Sequence, residues 1–262
     1  MKKEIGDFRV LKIEHFQDKD FMLYVRPLKG ELTTAIPGQF VNIRVDHSPQ
    51  TMLRRPISIC DIDFSSQTML LYIKIVGAGT QTLSSLKEGD IINMLYPLGN
   101  GFNMEGIKHP LLIGGGTGMA PMVYLSKCFH EKGILPTVLI GGRTKAALSL
   151  KDFFKGSAHL LISCDDGSEG EKGFVTQHSI VSKLSSFDKI YTCGPVVMMQ
   201  AVAGLAQRAN IPCEVSLENM MACGIGACLC CVTPTLNGNR CVCTEGPVFL
   251  STELTDFNNK NK

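Results

Sequence analysis

The stretch Leu111-Leu112-Ile113-Gly114-Gly115-Gly116-Thr117-Gly118-Met119-Ala120-Pro121 decides the architecture. A short apolar run reads as a strand, a glycine loop follows it, and a helix begins behind the loop. That is the context in which free backbone N–H groups hold a dinucleotide phosphate. The spacing is not GxGxxG, since position 119 is Met. Working downstream, apolar runs recur at 137–140, 159–162, 189–191 and 214–217, separated by helix-length segments. This alternation predicts a parallel sheet with covering helices. Another glycine loop, Tyr191-Thr192-Cys193-Gly194-Pro195, lies at a strand C-terminus, the end of an open α/β sheet where ligands bind.

Upstream the rhythm differs. Runs with strand character at 8–13, 21–25, 39–45, 69–76 and 91–95 are separated by turn signals such as Pro37-Gly38 and Glu88-Gly89-Asp90, with one helix-like piece near 81–87. They predict a small antiparallel β-barrel. Beyond about Cys213 the chain is too rich in Cys and Gly for another βα repeat, and the polar end, Asn258 to Lys262, reads as a frayed tail. The expected organisation is therefore multi-domain β + α/β: a barrel over 1–104, a nucleotide-binding α/β domain over 105–212 and a small cysteine-rich domain over 213–262.

Composition narrows the function. With 262 residues and 44% hydrophobic content, the chain can bury one or two cores. Its 26 Lys+Arg against 24 Asp+Glu leave no basic excess for nucleic acid or an anionic membrane. The charged start, Met1-Lys2-Lys3-Glu4, lacks the apolar stretch of a signal peptide, and no apolar run is long enough to span a bilayer. A cytoplasmic protein is expected.

Six of the 11 cysteines fall between 223 and 243. Cys223, Cys228, Cys231 and the distant Cys243 give CxxxxCxxC…C, the plant-type [2Fe–2S] spacing. Four thiolates must converge on two bridged irons, and Gly224 and Gly226 let the backbone curl and aim N–H groups at the sulfurs. A structural zinc site competes, although four-cysteine zinc sites usually show paired CxxC knuckles. All six histidines precede the cluster, so a mixed Cys/His site within this segment is excluded. Cys230 and Cys241 are surplus to four ligands and read as small hydrophobes beside them.

On a predicted barrel strand, Arg54-Arg55-Pro56-Ile57-Ser58 is either a solvated charged face or a flavin contact. In the second reading Arg55 neutralises a phosphate and Ser58 offers its hydroxyl to the isoalloxazine ring. Gly77-Ala78-Gly79-Thr80 opens the following helix and is either a turn or a pyrophosphate cradle. Gly141-Gly142-Arg143-Thr144 stands where an acidic ribose reader is expected, so the usual rule separating NAD from NADP does not apply. Cys193 is either packing or a neighbour of the nicotinamide.

In this order the motifs resemble the ferredoxin reductase superfamily over essentially the whole chain. Arg-Pro-Ile-Ser at 55–58, Pro97-Leu98-Gly99-Asn100-Gly101-Phe102, the glycine loop at 114–118, Asp165-Asp166-Gly167-Ser168 and Cys-Gly-Pro at 193–195 are similar to the electron-transfer subunits of NAD-dependent (class 1B) dihydroorotate dehydrogenases. The most specific match runs from Glu218 through Cys231 and closes at Cys243-Thr244-Glu245-Gly246-Pro247-Val248-Phe249. The resemblance implies FAD, a [2Fe–2S] cluster and NAD as cofactors, with Cys223, Cys228, Cys231 and Cys243 as iron ligands. It implies FAD contacts at Arg55, Pro56, Ile57, Ser58, Tyr72, Ile73, Lys74, Gly79 and Thr80. Nicotinamide contacts would come from Gly114, Gly115, Gly116, Thr117, Gly118, Cys193, Gly194 and Pro195, with Ser58 and Cys193 nearest the chemistry. Cys230 replaces a bulkier residue usual in that family, and Lys74 an arginine.

By the same resemblance, dihydroorotate is oxidised on an FMN-containing catalytic subunit, two of each subunit forming a heterotetramer, and electrons cross this chain to NAD+ in pyrimidine biosynthesis. Rival expectations are an NAD(P)H-linked subunit of a bifurcating ferredoxin:NADP reductase or of a sulfite reductase, and a non-enzymatic zinc or redox-sensing module.

Overall fold

The computed structural model describes residues 3–17 and 19–257; the predicted frayed tail lies outside them. Six antiparallel strands close a barrel in the order β1-β2-β5-β4-β3-β6: β1 Glu4–His15, β2 Asp20–Pro27, β3 Phe40–Ile43, β4 Arg55–Asp63, β5 Thr68–Lys74 and β6 Ile91–Leu98. Alternation sorts the strands' side chains. Val41, Ile43, Leu71 and Ile73 fill the barrel, whereas Phe40, Leu98, Leu70 and Tyr72 pack outward against the rest of the molecule. Helix α1 covers Ala78–Ser84, three residues earlier than its sequence suggests. The reason is local: the Thr80 hydroxyl accepts from the N–H groups of Val76 and Gly77 at 2.9 and 3.2 Å, which caps the helix inside the glycine loop.

The second layer is a seven-stranded sheet in the order β10-β9-β8-β7-β11-β12-β15, comprising β7 Pro110–Gly115, β8 Thr137–Gly142, β9 His159–Cys164, β10 Glu171–Lys172, β11 Lys189–Cys193, β12 Cys213–Ser216 and β15 Val248–Leu250. All pair in parallel except β15, which runs antiparallel to β12. The chain steps outward from β7 to β10, then returns to β11 on the other side of β7. The crevice between β7 and β11 is thus the switch point where open α/β sheets bind ligands.

Helix α2, Met119–Glu131, follows β7, and α3, Val196–Arg208, follows β11. The expectation of covering helices fails at the other two crossovers, where 143–158 carries only 3-10 turns and 165–188 only 3-10 turns and the short strand β10. In the latter, Gly167, Gly170 and Gly173 all take positive φ, so no helix can run through. A hairpin, β13 Val232–Thr235 with β14 Gly238–Cys241, completes the fold.

The cysteine-rich segment shares its core with the sheet. Cys231, Val242, Cys243 and Phe249 pack with Ile113, Val215 and Val202 of α3. Across the sheet, α2 and Tyr191 pack with Tyr72 and Phe102 from the barrel side. The join is fixed by polar groups as well. Buried Lys189 and Glu214 pair at 2.7 Å and grip the connecting chain: Lys189 Nζ donates to the Asn103 carbonyl at 3.0 Å, and the Asn103 N–H donates to Glu214 Oε2 at 3.0 Å. The Tyr191 hydroxyl donates to the same carbonyl at 2.7 Å. Among the described residues no helix is long and apolar enough to cross a membrane.

Candidate functional site

The two arginines at the start of β4 do different work. Arg54 is tied into the barrel, donating to the Asn42 and Asn93 carbonyls at 3.2 and 3.1 Å and to Asn93 Oδ1 at 2.6 Å. Arg55 makes one hydrogen bond among the described residues, 3.3 Å to the Arg54 carbonyl. A Cβ added at Gly79 would lie 2.8 Å from Arg55 Nε, so this guanidinium stands over the glycine loop at the start of α1. A charge placed there with little to pair it suits a flavin phosphate. Half-buried Ser58 pairs across from Phe40. The β5 residues are less free. Ile73 points into the barrel and has only backbone to offer, and the Tyr72 hydroxyl donates to Asp20 Oδ2 at 2.5 Å. Lys74 lies 3.6 Å from Asp20 Oδ1.

At the switch point the two glycine loops meet backbone to backbone. A Cβ at Gly118 would come within 2.2 Å of the Cys193 carbonyl, so only glycine permits this approach. Gly114, Gly115 and Gly118 are buried, while Gly116 is exposed and Thr117 partly so, at the mouth of the crevice. Gly194 and Pro195 lead straight into α3. Burial raises the Cys193 thiol, and the nearby Glu218 carboxylate raises it further. It is a neutral thiol, not one prepared for nucleophilic attack. The sequence reading assigned Glu218 no role, although it heads the cysteine motif. Its Oε1 accepts from the Thr117 hydroxyl at 3.4 Å. The side chain reaches solvent, yet enough protein crowds it for desolvation to raise its carboxyl above 4.5.

The cysteine loop spans 217–231 without helix or strand. Its thiols stand in two neighbouring pairs, Cys223 beside Cys228 and Cys231 beside Cys243. Two irons, each taking two thiolates, fit this arrangement. Backbone N–H groups already face the sulfurs, Ile225 to Cys223 and Cys243 to Cys231, both at 3.4 Å. Burial alone would raise the Cys223 thiol. The amides of Ile225, Cys228 and Ala227 and the Cys228 thiol outweigh it and bring the group down to about 6. Cys243, buried and beside Cys231, is pushed up to about 12. Cys230 is exposed with its thiol toward the Met220 carbonyl at 3.6 Å, and Cys241 lies at the end of β14, its backbone N–H bonded to Glu245.

A flavin-type barrel joined to a sheet whose switch point carries two glycine loops defines a ferredoxin reductase-like oxidoreductase. Solved structures agree. One reported for an NADH-dependent reduced ferredoxin-NADP oxidoreductase in flavin-based electron bifurcation matches with a TM-score of 0.83 at 31% identity, covering 94% of this chain and 88% of that one. The FAD/NAD-binding domain of a Vibrio cholerae nitric oxide dioxygenase shares the fold, with a TM-score of 0.70 at 16% identity over 80% of this chain and 98% of that one.

Within that class, the chain belongs to the family of dihydroorotate dehydrogenase B (NAD(+)) electron transfer subunits. It is 39% identical to that subunit of Fusobacterium nucleatum over 88% of this chain and 92% of the relative. It is 41% identical to that of Clostridium acetobutylicum over 88% and 91%. Residues 218–255 match the iron–sulfur cluster binding domain of dihydroorotate dehydrogenase B, and 112–204 match the oxidoreductase NAD-binding domain. Its cofactors are accordingly FAD, a [2Fe–2S] cluster and NAD.

Proposed function

We propose that this chain carries electrons from an FMN-containing subunit that oxidises dihydroorotate to NAD+, in a heterotetramer with two copies of each subunit. One observation carries the reading: the cysteine loop lies against β3 and β6, with Gly224 between Asn42 and Leu98, next to the strand that holds Arg55 and Ser58. Bound FAD supplies the exchange between single electrons and a two-electron hydride. The protein's own groups do the rest. Cys223, Cys228, Cys231 and Cys243 hold the irons. Arg55, over Gly79, neutralises the flavin phosphate, with Thr80 shaping its loop, and Ser58 presents its hydroxyl to the ring. The loops at 114–118 and 193–195 seat the nicotinamide, and the neutral Cys193 thiol closes its pocket against water. We place the complex in the cytoplasm, where reducing conditions keep 11 free thiols available. The likeness to a ferredoxin-NADP oxidoreductase favours a second reading, electron delivery to or from ferredoxin; several curated relatives with higher identity outweigh it.

The test uses the purified chain. With NADH and ferricyanide it should turn over. With dihydroorotate and NAD+ it should stay inert until the FMN subunit is added. Dihydroorotate bleaching the flavin of the single chain would sink the proposal.

A further inference from the structure

In the apolar run Phe40-Val41-Asn42-Ile43 of β3, one polar side chain interrupts the pattern. Asn42 is fully buried, and neither its Nδ2 nor its Oδ1 has a hydrogen-bond partner among the described residues. A buried carboxamide with both ends unpaired is unfavourable, and native structures keep one only where something else completes it. Its direction is fixed. Val41 and Ile43 face the barrel interior, so Asn42 projects outward, with Pro56 of the flavin strand paired on one side and Leu95 of β6 on the other. A Cβ built on Gly224 would lie 2.8 Å from Asn42 Nδ2 and 3.2 Å from Leu98 Cδ1. The amide therefore points into the cysteine loop beside Cys223, from the face of the barrel that adjoins Arg55–Ser58. Among the described residues no protein acceptor meets it there.

We propose that Asn42 Nδ2–H is a hydrogen-bond donor to the [2Fe–2S] cluster, accepted by a thiolate or sulfide sulfur, and that it sets the cluster's reduction potential from the barrel side. The inference rests on the ligand assignment above. Reduction adds negative charge to the sulfurs, so an N–H aimed at them stabilises the reduced form more than the oxidised form and raises the potential. The donor comes from the flavin domain rather than the cysteine loop, so the loop's docking on the barrel also tunes the acceptor or donor that the flavin meets.

The experiment is an EPR-monitored redox titration of the holoprotein, with the FAD followed optically in the same samples. Asn42→Leu and Asn42→Asp both remove Nδ2–H at nearly constant volume, and the second keeps a polar group in place should the first fold poorly. Iron, sulfide and FAD contents verify loading. The cluster midpoint should fall in both variants, so that at the poise which half-reduces the wild-type cluster the reduced fraction drops several-fold, with the FAD midpoint unmoved. An unchanged cluster midpoint in fully loaded variants overturns the inference, as does a shift confined to FAD. Absence of a [2Fe–2S] signal from wild type is a separate result. It overturns the ligand assignment and this inference with it.

Discussion

Between Gly114 and Gly118 the backbone is held by the sheet beneath it and by the Cys193–Gly194 backbone pressed against it, so its shape is complete before any ligand arrives. Between 217 and 231 the chain forms neither helix nor strand, and its internal links among the described residues are contacts made by thiols and the long bond from Asn219 Nδ2 to the Cys231 carbonyl at 3.4 Å. One ligand loop is shaped by packing and the other by the chemistry it is built to receive. For a loop of the second kind, binding free energy is also local folding free energy. The two should therefore fail independently.

The largest effect expected is all-or-none. Cys223→Ser, Cys228→Ser, Cys231→Ser or Cys243→Ser should abolish the [2Fe–2S] EPR signal and the iron and sulfide content while FAD and its reduction by NADH persist. Cys230→Ser and Cys241→Ser should keep the cluster. A cluster that survives Cys243→Ser and vanishes in Cys241→Ser would reassign the fourth ligand.

The converse break is Gly118→Val. Its side chain would collide with the Cys193 carbonyl, and a misplacement on the ångström scale costs about 100-fold in rate. Stopped-flow reduction of FAD by NADH should slow by that order with the EPR signal intact; loss of both would show that the regions are not independent.

That independence was only partly legible in the sequence. The strands of the sheet announced themselves as apolar runs, and the glycines at 114–118 and 193–195 marked the crevice, because packing and close approach leave compositional traces. The cysteine spacing was readable for the same reason. What was hidden depends on neighbours distant in sequence. Val248 and Phe249 were visible as the close of a cysteine motif, but Val248–Leu250 is too short to show a period, and only pairing with β12 makes it a strand. Asn42 lay inside a run read only for its strand character, and nothing local revealed that its amide has no partner among the described residues. The helix α1 was placed late because glycines at 77 and 79 discount a helix start that the Thr80 cap in fact supplies.

Three further substitutions should have smaller effects. Glu214→Gln leaves Lys189 buried without its counter-charge, and breaking such a pair costs about 3–5 kcal/mol. Denaturant melts should register that loss in one transition, since the pair clamps barrel to sheet through Asn103. Arg55→Ala removes a charge-assisted contact worth about 1.5–3 kcal/mol, or roughly 10- to 150-fold in FAD affinity. Fluorescence titration of the apoprotein measures it, and unaltered affinity would reduce Arg55 to a surface charge.

The smallest effect concerns Glu218. Surrounding protein partly desolvates its carboxyl and raises it above 4.5, so the folded chain binds this proton more tightly than the unfolded one. The stabilisation is present below that value and is lost as pH rises through the raised pKa. Thermal melts across this range should slope less in Glu218→Gln, and an unaltered slope would assign the titration elsewhere.

The antiparallel strand β15 gives synthesis a definite order. At about 5–20 residues per second, β12 leaves the ribosome seconds before the segment that pairs with it. Until Val248–Leu250 emerges, the outer side of β12 is an uncovered sheet edge, the kind of surface that recruits strands from other chains. A chain terminated after Thr244 would keep all the cysteines and still carry that open edge. It should be lost to aggregation before it is ever tested as an electron carrier, so the last stretch of the sequence acts as the molecule's own guard against premature association.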